Sequence, residues 1–172
     1  ITSSCYDPGA QGEPCGSCQH CQYAARGAHP DLHWYFPRQR LKKPDPDTED
    51  IASDMADAIE ERLEKSGVWE APARTDAMYV ATVRAIVRRA VLTPALATRK
   101  VIVVADAERL APQESMDEAS NAFLKLLEEP LPDTSIILTT SSPSALLPTI
   151  RSRVTAVRVP PLAPDDLREL EA

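Results

Sequence analysis

Every cysteine of this chain lies within its first 21 residues, at Cys5, Cys15, Cys18 and Cys21. The run Cys15-Gly16-Ser17-Cys18-Gln19-His20-Cys21 packs three thiols into seven residues. That crowding suits one tetrahedral metal. Zinc takes four thiolates in closed structural sites, and Cys-x-x-Cys steps let successive sulfurs converge on one ion. Cys5 would complete the shell from across a loop carrying Asp7, Pro8, Gly9 and Gly12. The alternatives are two disulfides or four reduced, buried thiols. Two-residue spacings strain a disulfide, whose Cα atoms prefer to sit about 5.5 Å apart, and nothing else in the chain argues for secretion. His20 lies inside the cluster and could replace a thiolate, but four cysteines already fill a tetrahedral shell. A structural zinc says how a loop is held; any other chemistry must come from elsewhere.

Two further stretches could do chemistry. Val101-Ile102-Val103-Val104 ends in Ala105-Asp106, and the next apolar run ends in Thr139-Thr140-Ser141-Ser142. In open α/β sheets ligands gather at the carboxyl ends of strands, where a nucleotide-handling protein keeps an acidic motif and a polar sensor. No Gly-x-x-x-x-Gly-Lys-Ser/Thr phosphate loop occurs, and four of the five glycines fall in the first 27 positions. A basic helix adds a weaker possibility. Arg84 and Arg88 are four apart on one face with Arg89 beside them, as mobile positive charge for a nucleic-acid backbone, for a neighbouring protein, or for solvent alone.

The elements that must position these residues follow from periodicity and punctuation. A short helix is expected around 17–26, ended by Gly27, then an aromatic strand over 32–36 closed by Pro37, and a proline-broken linker over 37–48. A helix over 49–65 is capped by Asp47 or Thr48 and carries Ile51, Met55, Ile59 and Leu63 on one side. A second helix is expected over 76–92 and a strand over 100–104. Ser115 and Glu118 form a capping box for a third helix, in which Ala119, Ala122, Phe123, Leu126 and Leu127 repeat at helical spacing until Pro130. A strand over 135–139, a helix over 143–151 and a last strand over 154–159 precede Pro160-Pro161. Continuous apolar strands alternating with helices indicate an α/β fold with a parallel sheet flanked by helices.

Composition bounds the partners. The 172 residues carry 19 basic and 26 acidic side chains, a net charge of −7, which disfavours a simple nucleic-acid wrapper. The charge is uneven: 45–64 holds nine carboxylates and one base, Arg62, whereas 77–105 holds no acid and five bases, Arg84, Arg88, Arg89, Arg99 and Lys100. No apolar run approaches the roughly 20 residues of a membrane span, and no basic segment leads into an apolar signal region, so the chain reads as cytoplasmic. It opens on Ile1-Thr2-Ser3-Ser4, as though begun partway through a larger protein.

Three ordered stretches then carry a resemblance. Residues 100–110 (KVIVVADAERL), 120–130 (SNAFLKLLEEP) and 147–153 (LPTIRSR) resemble the AAA+ module of bacterial DNA polymerase III clamp-loader subunits, as do the four-cysteine module and the following His29-Pro30-Asp31. The resemblance leaves only about 38–75 unmatched. It implies a P-loop-NTPase-like AAA+ domain over 1–159 whose first strand and phosphate loop are absent from this chain, a zinc module at 5–21, an acidic insert at 38–75, and a truncated second (lid) domain beginning at 160–172.

Two kinds of clamp-loader subunit share the zinc module: the ATP-hydrolysing gamma/tau type and the delta prime type. The hydrolysing type carries Asp-Glu after the strand, one carboxylate organising Mg²⁺ and the other the attacking water. Here the pair is Ala105-Asp106, and Asp106-Ala107 is similar to delta prime; taken without the resemblance, Asp106 is a strand-end residue capping the next turn. Ser152-Arg153-Val154 keeps the arginine of the family's Ser-Arg-Cys motif, so Arg153 is expected to reach ATP held by an adjacent subunit. The alternative for Arg153 is a pair with a surface carboxylate. Asp106, Thr139 and Thr140 are the weaker nucleotide-contact candidates, with Ser141 beside them. The resemblance thus implies a subunit that is not catalytic alone, that holds zinc, and that meets ATP at its neighbours or binds it without hydrolysis. It would work with gamma/tau and delta subunits, the sliding clamp and primed DNA. A gamma/tau-type ATPase with an upstream phosphate loop, and a zinc-ribbon nucleic-acid-binding module on an unrelated scaffold, are the alternatives.

Overall fold

The computed structural model describes residues 5, 13–64, 77–110 and 118–161. In chain order these form α1 (Gln19–Ala25), β1 (Leu32–Tyr35), α2 (Thr48–Glu64), α3 (Val80–Ala90), β2 (Lys100–Val104), α4 (Glu118–Glu128), β3 (Thr134–Leu138) and α5 (Pro148–Arg151), with single 3-10 turns at Ala107–Arg109 and Pro143–Ala145. Among the described residues no helix is long and apolar enough to cross a membrane.

The three strands are parallel and lie in the order β1-β2-β3. Both crossovers step the same way across the sheet, and right-handed connections then put their helices on one face. Accordingly α3 packs on β2 and against α4. Register assigns the faces: His33 pairs with Ile102, and Ile102 with Ile136; Tyr35 pairs with Val104, and Val104 with Leu138. On this helix-covered face Ile102 and Val104 are fully buried. On the other, Leu32, Trp34, Val101 and Ser135 are half-buried and Ile137 is exposed. Ile86, Phe123, Leu126 and Leu127 complete the core from the helices.

Local chemistry explains most element ends. Asp47 caps α2, its Oδ1 accepting the amides of Glu49 and Asp50 at 2.9 and 3.0 Å, while its own amide donates to Asp50 at 2.8 Å; this reciprocal exchange satisfies donors that a helix leaves orphaned. Ile51, Met55 and Ala58 then bury one stripe of α2 in the common core. The acidic insert is therefore no appendage. Arg38 forks onto Asp54 of α2 at 3.1 and 2.9 Å, and the Arg62 guanidinium lies 3.6 Å from the centre of the buried Phe36 ring. Gly27 ends α1 at φ +64, and a Cβ there would come within 2.2 Å of Ile59 Cγ2, so the zinc-module helix and α2 meet at a position open only to glycine.

Three expectations change. The second helix starts at Val80 rather than near 76, because Ala77 bridges Arg38 and Met78 bridges Leu110; a backbone engaged sideways in bridges is unavailable to a helix. The helix expected over 143–151 is split. Pro148 disfavours helical geometry at Leu147, which lies at φ −53, ψ 136, and α5 restarts with Pro148 in its first turn. The strand expected over 154–159 is not formed: Val157 and Val159 are 82% and 83% exposed, and β-branched residues make a strand only where a neighbouring strand takes their hydrogen bonds. Ser115, the capping-box partner of Glu118, lies outside the described residues, as do Lys65 and, of the expected start of a second domain at 160–172, residues 162–172.

One buried carboxylate joins the parts. Asp31, 3% exposed, accepts the amides of Ala95, Leu96 and Ala97 at 2.6, 2.7 and 2.6 Å, while its carbonyl accepts Val101 N at 2.8 Å and so begins the β1–β2 ladder. Burial opposes its ionisation, but the three amides outweigh burial and hold the carboxyl below its ordinary value. Lys100, 1% exposed, donates to Leu92 O nearby; burial lowers its pKa against the pull of Asp133 and Asp31. Burial likewise pushes His33 down to about 4, helped by Arg89 and Lys100, so this imidazole is neutral at pH 7. Asp31→Asn, which keeps one acceptor and adds a misplaced donor, should cost about 2–4 kcal/mol in denaturant unfolding at pH 7. Because the folded-state pKa is depressed, this advantage of the native residue should be constant above the unfolded value and shrink as the pH falls below about 4.

Candidate metal centre and strand-end site

The cluster of cysteines forms as spacing predicted. Cys15 and Cys21 sulfurs lie 3.9 Å apart, Cys5 and Cys18 3.9 Å, and Cys5 and Cys21 3.8 Å. All four lie within 4.8 Å of one another. Sulfurs placed about 2.3 Å from a central zinc at tetrahedral angles would be about 3.8 Å apart, whereas a disulfide bond is about 2.05 Å. The geometry fits the ion and excludes the bridges; all four cysteines are free.

The backbone prepares the sulfurs for charge. Cys15 Sγ accepts the Cys18 amide and Cys5 Sγ accepts the Cys15 amide, both at 3.3 Å, and the Ser17 hydroxyl donates to Cys15 at 3.6 Å. Gly16 takes φ +74 to turn this knuckle. The Ser17 hydroxyl, with the amides of Cys18 and Ser17, lowers Cys15 to about 6, while burial raises Cys21 to about 12. Four thiols this close cannot all ionise without a cation among them, and a bound divalent ion would favour every thiolate at once.

His20 is not a fourth-ligand substitute. It is 3% exposed, and its Nδ1 lies 2.8 Å from His29 Nε2 with the rings stacked at 5.1 Å. The Asp31 amide donates to His29 Nδ1 at 3.0 Å, so His29 carries its proton on Nε2 and donates to His20. Burial, with His20 adding to it, lowers the His29 pKa and keeps the ring neutral. Helix α1, which bears Cys21, is thereby tied to the start of β1. Sequence reasoning attached His29-Pro30-Asp31 to the family but gave it no role; the signal available was two polar residues, His29 and Asp31, directly before an apolar strand.

At the carboxyl ends of the strands, Asp106 adopts φ 49, ψ 50, a left-handed conformation that aspartate tolerates better than most side chains. Its carbonyl accepts Arg109 N at 2.8 Å, but its side chain caps nothing, contrary to the plain capping role. Ala105 donates its amide to Tyr35 O at 2.8 Å and Ala107 to Thr139 O at 2.9 Å. Thr140 Oγ1 accepts the Ser142 amide at 3.0 Å, and Ser141 donates to Glu108 at 3.3 Å. Burial works against the Glu108 charge, but the Thr140 and Ser141 hydroxyls prevail and lower its pKa. Thr139, Thr140 and Ser141 are thus drawn to the turn after β2.

Arg153 follows α5 and is engaged within the chain. Its Nε lies 2.7 Å and its Nη2 2.5 Å from Glu128 Oε1, and Nη1 donates to Thr149 O at 2.7 Å. Arg84 and Arg88 are exposed on one face of α3, with Arg84 3.8 Å from Asp45. Arg89 leaves that set: it is half-buried, and its charge opposes the rise that burial gives the Tyr35 pKa.

A parallel α/β sheet flanked by helices, with a four-thiol knuckle that could hold a metal ion ahead of its edge strand, defines the class of domain. The family described as DNA polymerase III, delta subunit, matches residues 2–163, and the chain belongs to that family. The DNA polymerase III subunit delta' of Pseudomonas aeruginosa is 35% identical over 150 residues, 87% of this chain and 33% of that protein. The protein of the same name from Bacillus subtilis is 28% identical over 165 residues, 96% of this chain and 37% of the relative, and that of Escherichia coli 29% over 139 residues, 81% and 30%. The chain therefore spans about a third of the length of the curated relatives it matches. The delta prime pattern read from Asp106-Ala107 agrees with these names, and an unrelated scaffold is excluded by the family match.

The protein purified under reducing conditions should carry one zinc per chain by elemental analysis. Cys18→Ser or Cys21→Ser should lower the zinc content at least tenfold in the presence of a competing chelator, while the far-ultraviolet signal of the sheet and helices is largely kept. Native protein purified under reducing conditions without chelator that holds no metal, or Cys18→Ser and Cys21→Ser variants that keep zinc as tightly as the native chain, would contradict this.

Proposed function

We propose that this protein is a non-hydrolysing delta prime subunit of the DNA polymerase III clamp loader, acting in replication with gamma/tau and delta subunits to place the sliding clamp on primed DNA. The observation that carries the non-hydrolysing part is Ala105 at the end of β2. A hydrolytic site needs a carboxylate there to hold the Mg²⁺ shell, and a methyl group cannot. The neighbouring Asp106 is set by its left-handed backbone to close the turn. Glu108, the next acid, is committed to the hydroxyl of Ser141.

Arg153 supplies the arginine that acts on ATP bound by a neighbouring subunit. Its guanidinium stays charged and forks onto phosphate oxygens, and it follows α5 with 27% of its side chain exposed. In the isolated chain Glu128 takes the place a phosphate would. Exposed carboxylate–guanidinium pairs contribute about 0–1 kcal/mol, so exchanging Glu128 for the triphosphate of a neighbour costs little against a contact worth about 10³–10⁵ in rate when supplied in trans. The gamma/tau-type alternative would need an acidic pair at 105–106, and it does not fit the delta' names of the relatives.

The full protein, free of its partners, should hydrolyse ATP no faster than background, and Ala105→Asp with Asp106→Glu should not by itself create turnover. Brisk hydrolysis by the unmodified protein would overturn the assignment.

In a reconstituted loader, Arg153→Ala should leave assembly intact and slow DNA-stimulated ATP hydrolysis by about 10²-fold or more, with lysine a poor substitute. Glu128→Gln, which releases the guanidinium, should not slow it. Undiminished hydrolysis in a fully assembled Arg153→Ala complex would remove the arginine from the mechanism.

A further inference from the structure

The stretch joining β1 to α2 and the first turn of α3 enclose a cavity of about 370 Å³, within the size range of small-molecule sites. Arg38, Arg40, Lys43 and Arg84 line it against two carboxylates, Asp45 and Asp54. In a chain of net charge −7, that is a local reversal of sign.

The four cations are not equally occupied. Arg38 is locked to Asp54 in a two-pronged pair, and Lys43 is held between Asp47 and Asp50. Arg40 has no carboxylate within ion-pair distance among the described residues; its guanidinium stands 5.9 Å from the Tyr79 ring centre. Among the described residues Arg84 reaches one carboxylate, Asp45, at 3.8 Å, with both side chains largely exposed, and such pairs are weak. Two of the arginines that line the cavity are therefore unpaired or only weakly paired. Leu41, Ile51 and Val80 give it an apolar wall, and Tyr79 offers a ring. No carboxylate from the acidic ridge of α2 enters it other than Asp54, already neutralised by Arg38.

We propose that this cavity binds a phosphate group, gripped by Arg40 and Arg84, with the attached organic part lying against Tyr79 and the apolar wall. Guanidinium is the side chain that matches phosphate oxygens in planar, two-pronged contact, and an aromatic ring beside it accepts a flat base. Arg38 is a positioning residue, fixing the chain that carries Arg40 onto α2. Most of the site comes from the stretch that the clamp-loader resemblance leaves unmatched, and the inference does not rest on the functional assignment above. The phosphate could belong to a free nucleotide or to a nucleic-acid backbone; the chemistry of the grip is the same.

Titration of the full chain with sodium pyrophosphate, with ATP lacking added metal, and with a fluorescein-labelled single-stranded oligodeoxynucleotide tests this. Saturable binding of pyrophosphate or ATP alone assigns a free nucleotide; saturable binding of the oligonucleotide, weakened by salt, assigns a backbone. In either case Arg40→Ala and Arg84→Ala should each weaken binding about tenfold, and Arg26→Ala, exposed at the end of α1 and outside the cavity, should not. These exposed substitutions should leave the unfolding midpoint unchanged. Equal affinity for the native chain and the Arg40→Ala/Arg84→Ala variant, or no saturable binding of any probe, would overturn the site.

Discussion

A carboxylate buried where three peptide amides converge is the constraint on which this fold turns. Without Asp31, the turn at 95–97 would bury or expose amides with no partner, and an orphaned donor costs about 1–3 kcal/mol. Its side chain closes that turn, its carbonyl starts the β1–β2 ladder, and its amide orients His29. Through His29 and His20 the same residue reaches the helix that bears Cys21. One residue thus fixes the entry to β1, the approach to β2 and the footing of the metal knuckle, the turn through its carboxylate and the other two through its backbone.

That arrangement separates two jobs. The metal knuckle is fastened at the entry to β1, whereas Ala105, Asp106 and the Thr139–Ser141 turn lie at the opposite ends of the strands. A structural ion can stiffen the start of the edge strand without touching the strand-end residues. There, backbone hydrogen bonds from Ala105 to Tyr35 and from Ala107 to Thr139 knit all three strands together, and the polar side chains are spent on one another. Such a site is rigid and poor in free acid. Arg153 stands apart from both jobs, held by an exposed carboxylate on α4 and by the Thr149 carbonyl.

Much of this was legible in the residues. The four-cysteine spacing gave the metal cluster because short loops leave few ways to converge, and β2 and α4 followed from an unbroken apolar run and a clean helical repeat. Asp47 as the cap of α2 was one of two candidates named. What sequence missed was set by distant partners. Ala77 and Met78 look helical locally but are taken by bridges to Arg38 and Leu110. Residues 154–159 have strand propensity without a neighbouring strand to pair with among the described residues. Arg84, Arg88 and Arg89 read as one basic face, yet Arg89 is half-buried and acts electrostatically on Tyr35, a coupling between β1 and α3 that no local pattern announces. The Arg40–Arg84 cavity was invisible for the same reason: its two arginines are 44 positions apart.

Hydrogen exchange with and without bound zinc tests the coupling most directly. Stripping the metal should remove protection from α1 and the His29–Asp31 turn and weaken it at 95–97, while β2 and β3 stay protected to within the global stability. If β2 and β3 lost protection together with α1, the knuckle would be part of the core rather than fastened to it; if α1 and His29–Asp31 kept their protection, the His20–His29–Asp31 chain would not be what transmits the metal's hold.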